Sequence, residues 1–334
     1  MYYLGLDIGG TKCAVILGKK AAGAPEICGR LSFATASAAS PEEALERMCA
    51  YGDTLLKEHG LHKEDLSAVG ISCGGPLDSR KGMICSPPNL PGWDEIPAAE
   101  IVRSHFGVPV LLQNDANAGA LAEWKFGAGR GSSNMVFITF GTGCGAGLIL
   151  DGRLYSGTND NAGECGHIRL TGFGPVGYGK AGSVEGYCSG GGIAQLGETY
   201  LREMVQQGAR SELCDLYRSG TEITARLLAE YARKGDEAAE RVFSVSAEML
   251  GKSLSIIIDL LNPELIVIGG VFARCTDLLL GGCEEVIRRE ALAPSGKVCR
   301  ILPAGLGEQI GDYAALAVAA YLSDSISGGY SSVQ

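Results

Sequence analysis

Apolar positions along the chain follow two alternating patterns: short β-prone runs that stop at glycine, and longer stretches with helical spacing. Residues 2–8 form a compact apolar run, and 13–17 resume in the same style after a tight turn, which predicts a hairpin. Ser40-Pro41-Glu42-Glu43 opens a helix that runs to about residue 60, with Ser as cap, Pro at the first position and Glu at the third. A strand is expected at 66–73, a helix at 93–106, a strand at 108–112 and a helix at 116–126. A second hairpin is expected from 135–140 and 146–150. Beyond a glycine-dense loop region at 160–192, helices are predicted at 195–208, 211–217, 221–234 and 236–261. A strand at 264–268, a helix at 284–291, a strand at 298–302 and a helix at 311–322 follow. The Ser- and Gly-rich tail after Asp324 is expected to be loose. This alternation indicates an α/β fold. The order hairpin, strand, helix, strand occurs twice, which suggests a duplicated fold with a cleft between its halves, where ligands tend to bind.

The two hairpin turns carry the candidate chemistry. The first reads Leu6-Asp7-Ile8-Gly9-Gly10-Thr11-Lys12, the second Phe140-Gly141-Thr142-Gly143-Cys144-Gly145-Ala146-Gly147. Each lies between strands, so neither is the strand–loop–helix phosphate loop. Successive backbone N–H groups in such turns form an anion-binding nest, and glycine leaves no Cβ in the way of a phosphate. Thr11 and Thr142 add hydroxyls, Lys12 adds a charge, and Asp7 is well placed to hold a metal-bound water. Between the turns lies Gln113-Asn114-Asp115-Ala116-Asn117, whose aspartate could take a proton from a substrate hydroxyl. One glycine turn alone fits a plain hairpin, and Asn114-Asp115 before a helix also fits an N-cap. Two such turns with an acid between them point to phosphoryl transfer. Two other glycine-lysine stretches, 174–181 and 246–253, miss the phosphate-loop pattern, the first ending in Ala and the second lacking its leading glycine.

Composition narrows the partners. The 334 residues are enough for two domains with sizeable cores. A formal net charge of −10 argues against nonspecific binding to nucleic acid or anionic membranes. The amino-terminal run contains an acid and leads straight into the glycine turn, so no signal peptide is expected, and no apolar run reaches membrane-spanning length. The twelve cysteines are scattered without any C-x-x-C pair, and read as free thiols of a cytoplasmic protein.

Taken together, Asp7 to Lys12, Gln113 to Asn117, the turn from Gly141 to Gly147, Ala162-Gly163-Glu164-Cys165-Gly166-His167, Asn262-Pro263-Glu264 and Gly269-Gly270 resemble the ROK family of sugar kinases and sugar-responsive repressors. The resemblance runs from Tyr2 to about Leu322. It implies two actin-like (ribonuclease H-like) domains with an interdomain cleft, divided as 1–114 plus 309–324 and 115–308. It implies that Asp115 is the general base, with Gly75, Asn89, Asn114, Glu164, His167 and Glu185 on the sugar. ATP would be held by Asp7, Gly9, Gly10, Thr11, Lys12, Gly141, Thr142, Gly143 and Gly145, with Gly269 and Gly270 near the adenosine. MgATP and a small sugar are the implied ligands, and a homodimer the implied assembly. The implied reaction is transfer to a hexose, foremost to the 6-hydroxyl of glucose. N-acetylmannosamine, N-acetylglucosamine or fructose are the alternatives, and a non-catalytic sugar sensor is the alternative of another class.

The chain departs from the family at one place. Most family members carry a zinc site formed by a His and a following C-x-C-G-x-x-G-C. Here the matching stretch, 176–183, has Val176, Tyr178 and Ser183 where the three cysteines belong, leaving His167 alone. No structural zinc is expected. Tyr178 packing and backbone hydrogen bonds are expected to order the loop instead. The repressor branch carries a DNA-binding helix-turn-helix ahead of the first turn; here that turn begins at Asp7, so no DNA-binding regulator is expected.

Overall fold

The computed structural model describes residues 1–141 and 143–327. The chain opens with three strands, β1 (Tyr2–Ile8), β2 (Lys12–Lys19) and β3 (Glu26–Ala34), each antiparallel to the one before. Helix α1 (Pro41–Glu58) leads to β4 (Leu66–Cys73), which lies parallel to β1. A small hairpin, β5 (Leu77–Asp78) and β6 (Met83–Ile84), precedes α2 (Ala98–Phe106), β7 (Val110–Asn114) and α3 (Asp115–Phe126). The first sheet has the order β3-β2-β1-β4-β7.

The second half begins with β8 (Met135–Phe140), β9 (Cys144–Leu150) and β10 (Arg153–Tyr155), then the short pair β11 (Val176–Gly177) and β12 (Lys180–Ala181). Five helices follow: α4 (Val184–Cys188), α5 (Gly190–Gln206), α6 (Glu212–Arg218), α7 (Ala225–Arg233) and α8 (Glu237–Leu261). After β13 (Leu265–Ile268) come α9 (Val271–Arg274), α10 (Thr276–Glu290), α11 (Ala293–Val298), β14 (Arg300–Pro303) and α12 (Ile310–Ser327). The second sheet has the order β10-β9-β8-β13-β14, with β13 and β14 parallel to β8. That is the order of the first sheet again, which bears out the duplicated α/β plan. Packing divides the chain into two compact units. One holds 1–132, 147–162 and the segment from Gly305, and the other holds 133–146 and 163–304. Helix α3, which the expected boundary assigns to the second domain, packs with the first unit.

Period-two alternation in the first sheet feeds two layers of core. Leu4, Leu6 and Ile8 face one side with Val15, Leu17, Val69 and Ile71, against Leu45, Met48 and Leu55 of α1 and Val102 and Phe106 of α2. Tyr3, Ala14, Ile16 and Ala68 face the other side, against Leu316, Ala319 and Ala320 of α12. Helix α12 reaches the sheet with its backbone. A Cβ on Gly70 would collide with the Ala315 carbonyl oxygen and the Ala319 amide, and one on Gly5 would stand 2.9 Å from the Ala315 Cβ. Only glycine allows an approach this close.

Several elements differ from expectation for clear reasons. The helix expected from residue 93 begins at Ala98, because Ile96 bridges to Ile84 and Pro97 keeps the residue before it extended. Strand β3 was not expected, and none of its residues is fully buried. Residue 298 ends α11, so the last strand starts later, at Arg300. Helix α12 runs to Ser327, past the expected loose start of the tail, and 328–334 lie outside the described residues. The Ser40 cap is present, with its hydroxyl accepting from Glu43 N at 3.2 Å, but the Glu43 carboxylate reaches back to Ala39 N.

One buried carboxylate fastens α3 to the chain that returns for α12. Glu123 has no exposed surface and accepts hydrogen bonds from Ala128 N (2.8 Å), Gly305 N (3.0 Å) and Leu306 N (2.9 Å). Glu123→Ala removes the acceptor for all three. Urea denaturation should show a loss of about 2–4 kcal/mol. A loss below about 1 kcal/mol, the net worth of one ordinary hydrogen bond, would remove Glu123 from this role.

Candidate active site

Strand register assembles the first half of the site. Ile8 of β1 pairs with Cys73 of β4, and Cys73 pairs with Asn114 of β7. The three parallel strands therefore end level, and the residues after them, Gly9, Gly74 and Asp115, emerge along one sheet edge. Carboxyl ends of parallel strands are where α/β sheets bind ligands. Motifs more than sixty residues apart in sequence meet here because the sheet stacks their strands.

The first glycine turn is closed by its own backbone. Gly9 N donates to Lys12 O at 3.1 Å. Thr35, at the end of β3, donates its hydroxyl to Gly9 O (2.6 Å) and its N–H to Thr11 O (3.0 Å). Gly10, Thr11 and Lys12 are left exposed at the tip. A Cβ on Gly10 would stand 2.5 Å from the Asn89 carbonyl oxygen, so the turn and the Asn89 loop touch through backbone. The Asn89 amide in turn lies over Gly74, next to Gly75, whose bond to Pro76 is cis. Gly10, Gly75 and Asn89 are thus brought together. Sequence reading missed Thr35, and nothing near it in the chain marks it.

The two carboxylates have different surroundings. Burial, then the negative charges of Asp312 and Asp115, push Asp7 from 3.8 up to about 7, against the pull of Arg30 and Lys12. Arg30 Nε holds both oxygens of Asp312 at 2.9 and 3.0 Å. Asp7 Oδ2 faces Gly311 in the first turn of α12. Asp115 remains open to solvent, while crowding by protein pushes its carboxyl upward, opposed by the N–H of Ala116. Asn114 does cap α3: its Oδ1 accepts from Asn117 N at 2.7 Å, so the cap reading holds for this position. That bond fixes the amide and turns Nδ2 the other way, to Asp160 O at 3.5 Å.

The second unit carries the remaining residues. Gly141 N donates to Gly143 O (3.0 Å), and Gly141 O accepts from Gly190 N at the start of α5 (2.9 Å). Thr142 lies outside the described residues. Gly145 is already within β9 rather than at the tip of the turn. Glu185, expected on the sugar, bonds the turn itself, its Oε2 accepting from Cys144 N at 3.0 Å. Gly269 N donates to Ile138 O (2.9 Å), and a Cβ on Gly270, at φ +64°, would collide with Phe140 O. The Gly163 to His167 stretch lies directly on β9. A Cβ on Gly163 would strike the Ala146 carbonyl oxygen, and one on Gly166 that of Cys144. These two glycines let the loop press against the strand and display Glu164, which is exposed, and His167, which is half-buried.

The loop at the expected zinc position is ordered without thiolates. Tyr178 is at the tip of the β11–β12 hairpin, edge-on to the His167 ring with centroids 5.4 Å apart. Lys180 Nζ donates to His167 O (2.7 Å). Gln195 of α5 clamps the hairpin, its amide accepting from Val176 N and donating to Val176 O, each at 2.9 Å. Val176, Tyr178 and Ser183 offer no thiolate, so these residues do not fit a zinc ion. Among the described residues no group of three or more His, Cys, Asp or Glu could hold a metal. Tyr178 was anticipated in this role; Gln195, far from the motif in sequence, was not.

A model of the ROK family matches residues 3–321. The chain belongs to the ROK family. It is 31% identical to a glucokinase of Halalkalibacterium halodurans over 312 residues, 93% of this chain and 92% of that one. Its fold is similar to that of a ROK hexokinase from Thermus thermophilus, with a TM-score of 0.79 and 28% identity over 97% of this chain and all of that one. It is also similar to a ROK glucokinase from Streptomyces griseus in complex with glucose and AMPPNP, with a TM-score of 0.71 and 28% identity over 96% of this chain and all of that one. The actin-like, two-sheet ROK fold accounts for the repeated strand order, and the chain is a ROK sugar phosphotransferase.

The raised Asp7 fixes a pH dependence. The folded protein holds this proton more tightly than the unfolded chain, so Asp7 costs no stability below about pH 4. The cost grows as pH rises and is complete above about pH 7. Asp7→Asn should therefore stabilise the ligand-free protein by about 1–3 kcal/mol at pH 8, after discounting for solvent contact, and by nothing near pH 4. Thermal unfolding of both proteins across this range checks it, and an equal gain at both ends would contradict the assignment.

Proposed function

We propose that the protein is an ATP-dependent glucokinase that phosphorylates the 6-hydroxyl of glucose. The observation that carries this is the level ending of β1, β4 and β7, which sets Asp115 on the same sheet edge as the Gly9–Lys12 turn. A proton acceptor and an anion nest on one edge are what phosphoryl transfer to a hydroxyl requires. The glucokinase relatives support glucose as the acceptor.

In this reading Asp115 takes the 6-hydroxyl proton as the γ-phosphoryl group leaves ATP. Its raised pKa makes it a stronger base while it stays open to the substrate. Asn114 offers Nδ2 to a sugar hydroxyl, its Oδ1 being occupied by the cap. Gly75, Asn89, Glu164 and His167 complete the sugar contacts. Glu185, bonded to Cys144 N, couples the sugar to the second glycine turn. Gly10, Thr11, Lys12, Gly141, Thr142 and Gly143 hold the phosphates, and Gly269 and Gly270 border the adenosine. ATP arrives as its magnesium complex, and Asp7, surrounded by excess negative charge, is the residue to meet the cation's water.

A homodimer in the cytoplasm is part of the same proposal. Ile256 and Leu260 of α8, Leu292 just before α11 and Val298 at its end are exposed apolar residues suited to a second copy. No described helix is long and apolar enough to cross a membrane.

The test is ADP release with MgATP against glucose, fructose, N-acetylmannosamine and N-acetylglucosamine. Glucose should turn over well above the others, and another sugar in first place would replace it as substrate. Asp115→Asn should reduce kcat by about a thousandfold or more while leaving glucose binding within about threefold. Near-normal turnover in that variant would remove Asp115 from the chemistry.

A further inference from the structure

The segment 156–162 is laced to the start of α3 at two places. Asn117, fully buried, donates Nδ2 to Ser156 Oγ at 3.3 Å and to Gln113 Oε1 at 3.1 Å. One turn earlier, Asn114 Nδ2 donates to Asp160 O. The segment closes on itself, with Ala162 N donating to Ser156 O at 3.1 Å.

Asp160 is the unusual member. Its backbone is left-handed, at φ +60°, where a residue with a side chain is strained. What holds it there is Ser79, in the loop joining β5 to β6. Ser79 N donates to Asp160 Oδ2 at 2.8 Å, and Ser79 Oγ donates to Oδ1 at 2.7 Å. Both carboxylate oxygens are engaged by one residue eighty-one positions away in sequence. Only the short strand β5 separates Ser79 from Gly75-Pro76, so the clamp ties two stretches assigned to the sugar, the one at Gly75 and the one at Asn114.

We propose that Asp160, clamped by Ser79, is a positioning residue that orients the Asn114 amide for the sugar. The chain of causes is short. The clamp fixes the Asp160 peptide, whose carbonyl takes one hydrogen of Asn114 Nδ2. The cap bond from Asn117 N fixes Oδ1. The amide is then held from both ends, and its second N–H hydrogen points in a set direction for a hydroxyl acceptor. Without the clamp, the Asp160 carbonyl is free to turn, and the amide must be ordered by the substrate instead. Neither Ser79 nor Asp160 touches the reacting atoms. This inference rests on the proposed role of Asn114 in sugar binding.

The variant Asp160→Gly separates positioning from folding. Glycine adopts φ +60° without strain, so the backbone can keep its path while the clamp is lost. The glucose KM should rise about five- to tenfold, roughly the effect of one well-placed hydrogen bond, with KM for ATP within about twofold and kcat within about threefold. Ser79→Ala, which removes one of the two clamp bonds, should raise the glucose KM in the same direction by less. The double variant should match Asp160→Gly, because both changes break one unit. Asp160→Asn, which keeps an acceptor oxygen and tolerates the left-handed backbone, should restore part of the affinity. An unchanged glucose KM in Asp160→Gly, or an equal rise for glucose and ATP, overturns the inference. Calorimetric binding of glucose to the wild type and Asp160→Gly reads the same difference without turnover. A wild type that binds glucose but does not phosphorylate it would refute the kinase reading alone. Equal glucose affinities for the two proteins would refute the positioning role alone.

Discussion

The first unit depends on how closely α12 can approach its sheet. Glycines at positions 5 and 70 let the helix backbone come down onto β1 and β4, where any side chain would hold it off. That contact is made by main-chain atoms, so it is insensitive to rotamers and sets the helix at one depth. The depth then decides where the first turn of α12 falls, and with it the positions of Gly311 and Asp312 relative to Asp7. The charge environment of the first glycine turn is therefore a consequence of packing further along the same face of β1, where Gly5 and Asp7 both look toward α12. Glu123 fastens the same arrangement from the side, holding the chain at Gly305 and Leu306 just before it enters the helix.

The parts legible in the sequence were those where local chemistry and tertiary need agree. The Ser40 cap, the two glycine turns, the strand at 66–73 and the long helix from about residue 236 are local signals, and the structure uses each of them. The Glu164–His167 motif was legible as well, because it pairs displayed side chains with the glycines that let its loop approach a strand, Gly163 and Gly166. Illegible parts were those fixed by partners distant in sequence. Strand β3 carries no buried stripe, because it is the sheet's edge, so its alternation is weak. Residues 93–97 carry an apolar pattern that suits a helix, yet Ile96 is drawn into a bridge with Ile84. Thr35, Ser79 and Gln195 are ordinary polar residues until the fold places them against Gly9, Asp160 and Val176.

The two acidic residues of the first unit illustrate how one environment can serve two tasks. Both are pushed toward the protonated form, Asp7 by burial and neighbouring carboxylates, Asp115 by the protein crowded around it. On the proposed roles, a cation beside Asp7 would relieve the first cause and a proton taken up by Asp115 the second. A site strained electrostatically in this way would be eased by the ligands of the proposed reaction, which would give their binding a share in stabilising the fold.

The loop that lacks the family's thiolates has a wider consequence. A zinc knot is an all-or-none fastening, whose whole binding free energy is present with the ion and gone without it. The Gln195 clamp, the Lys180 bond and the Tyr178 contact are separate and individually weak. Order in this loop is therefore graded, open to tuning one substitution at a time, and indifferent to how much zinc the surroundings supply.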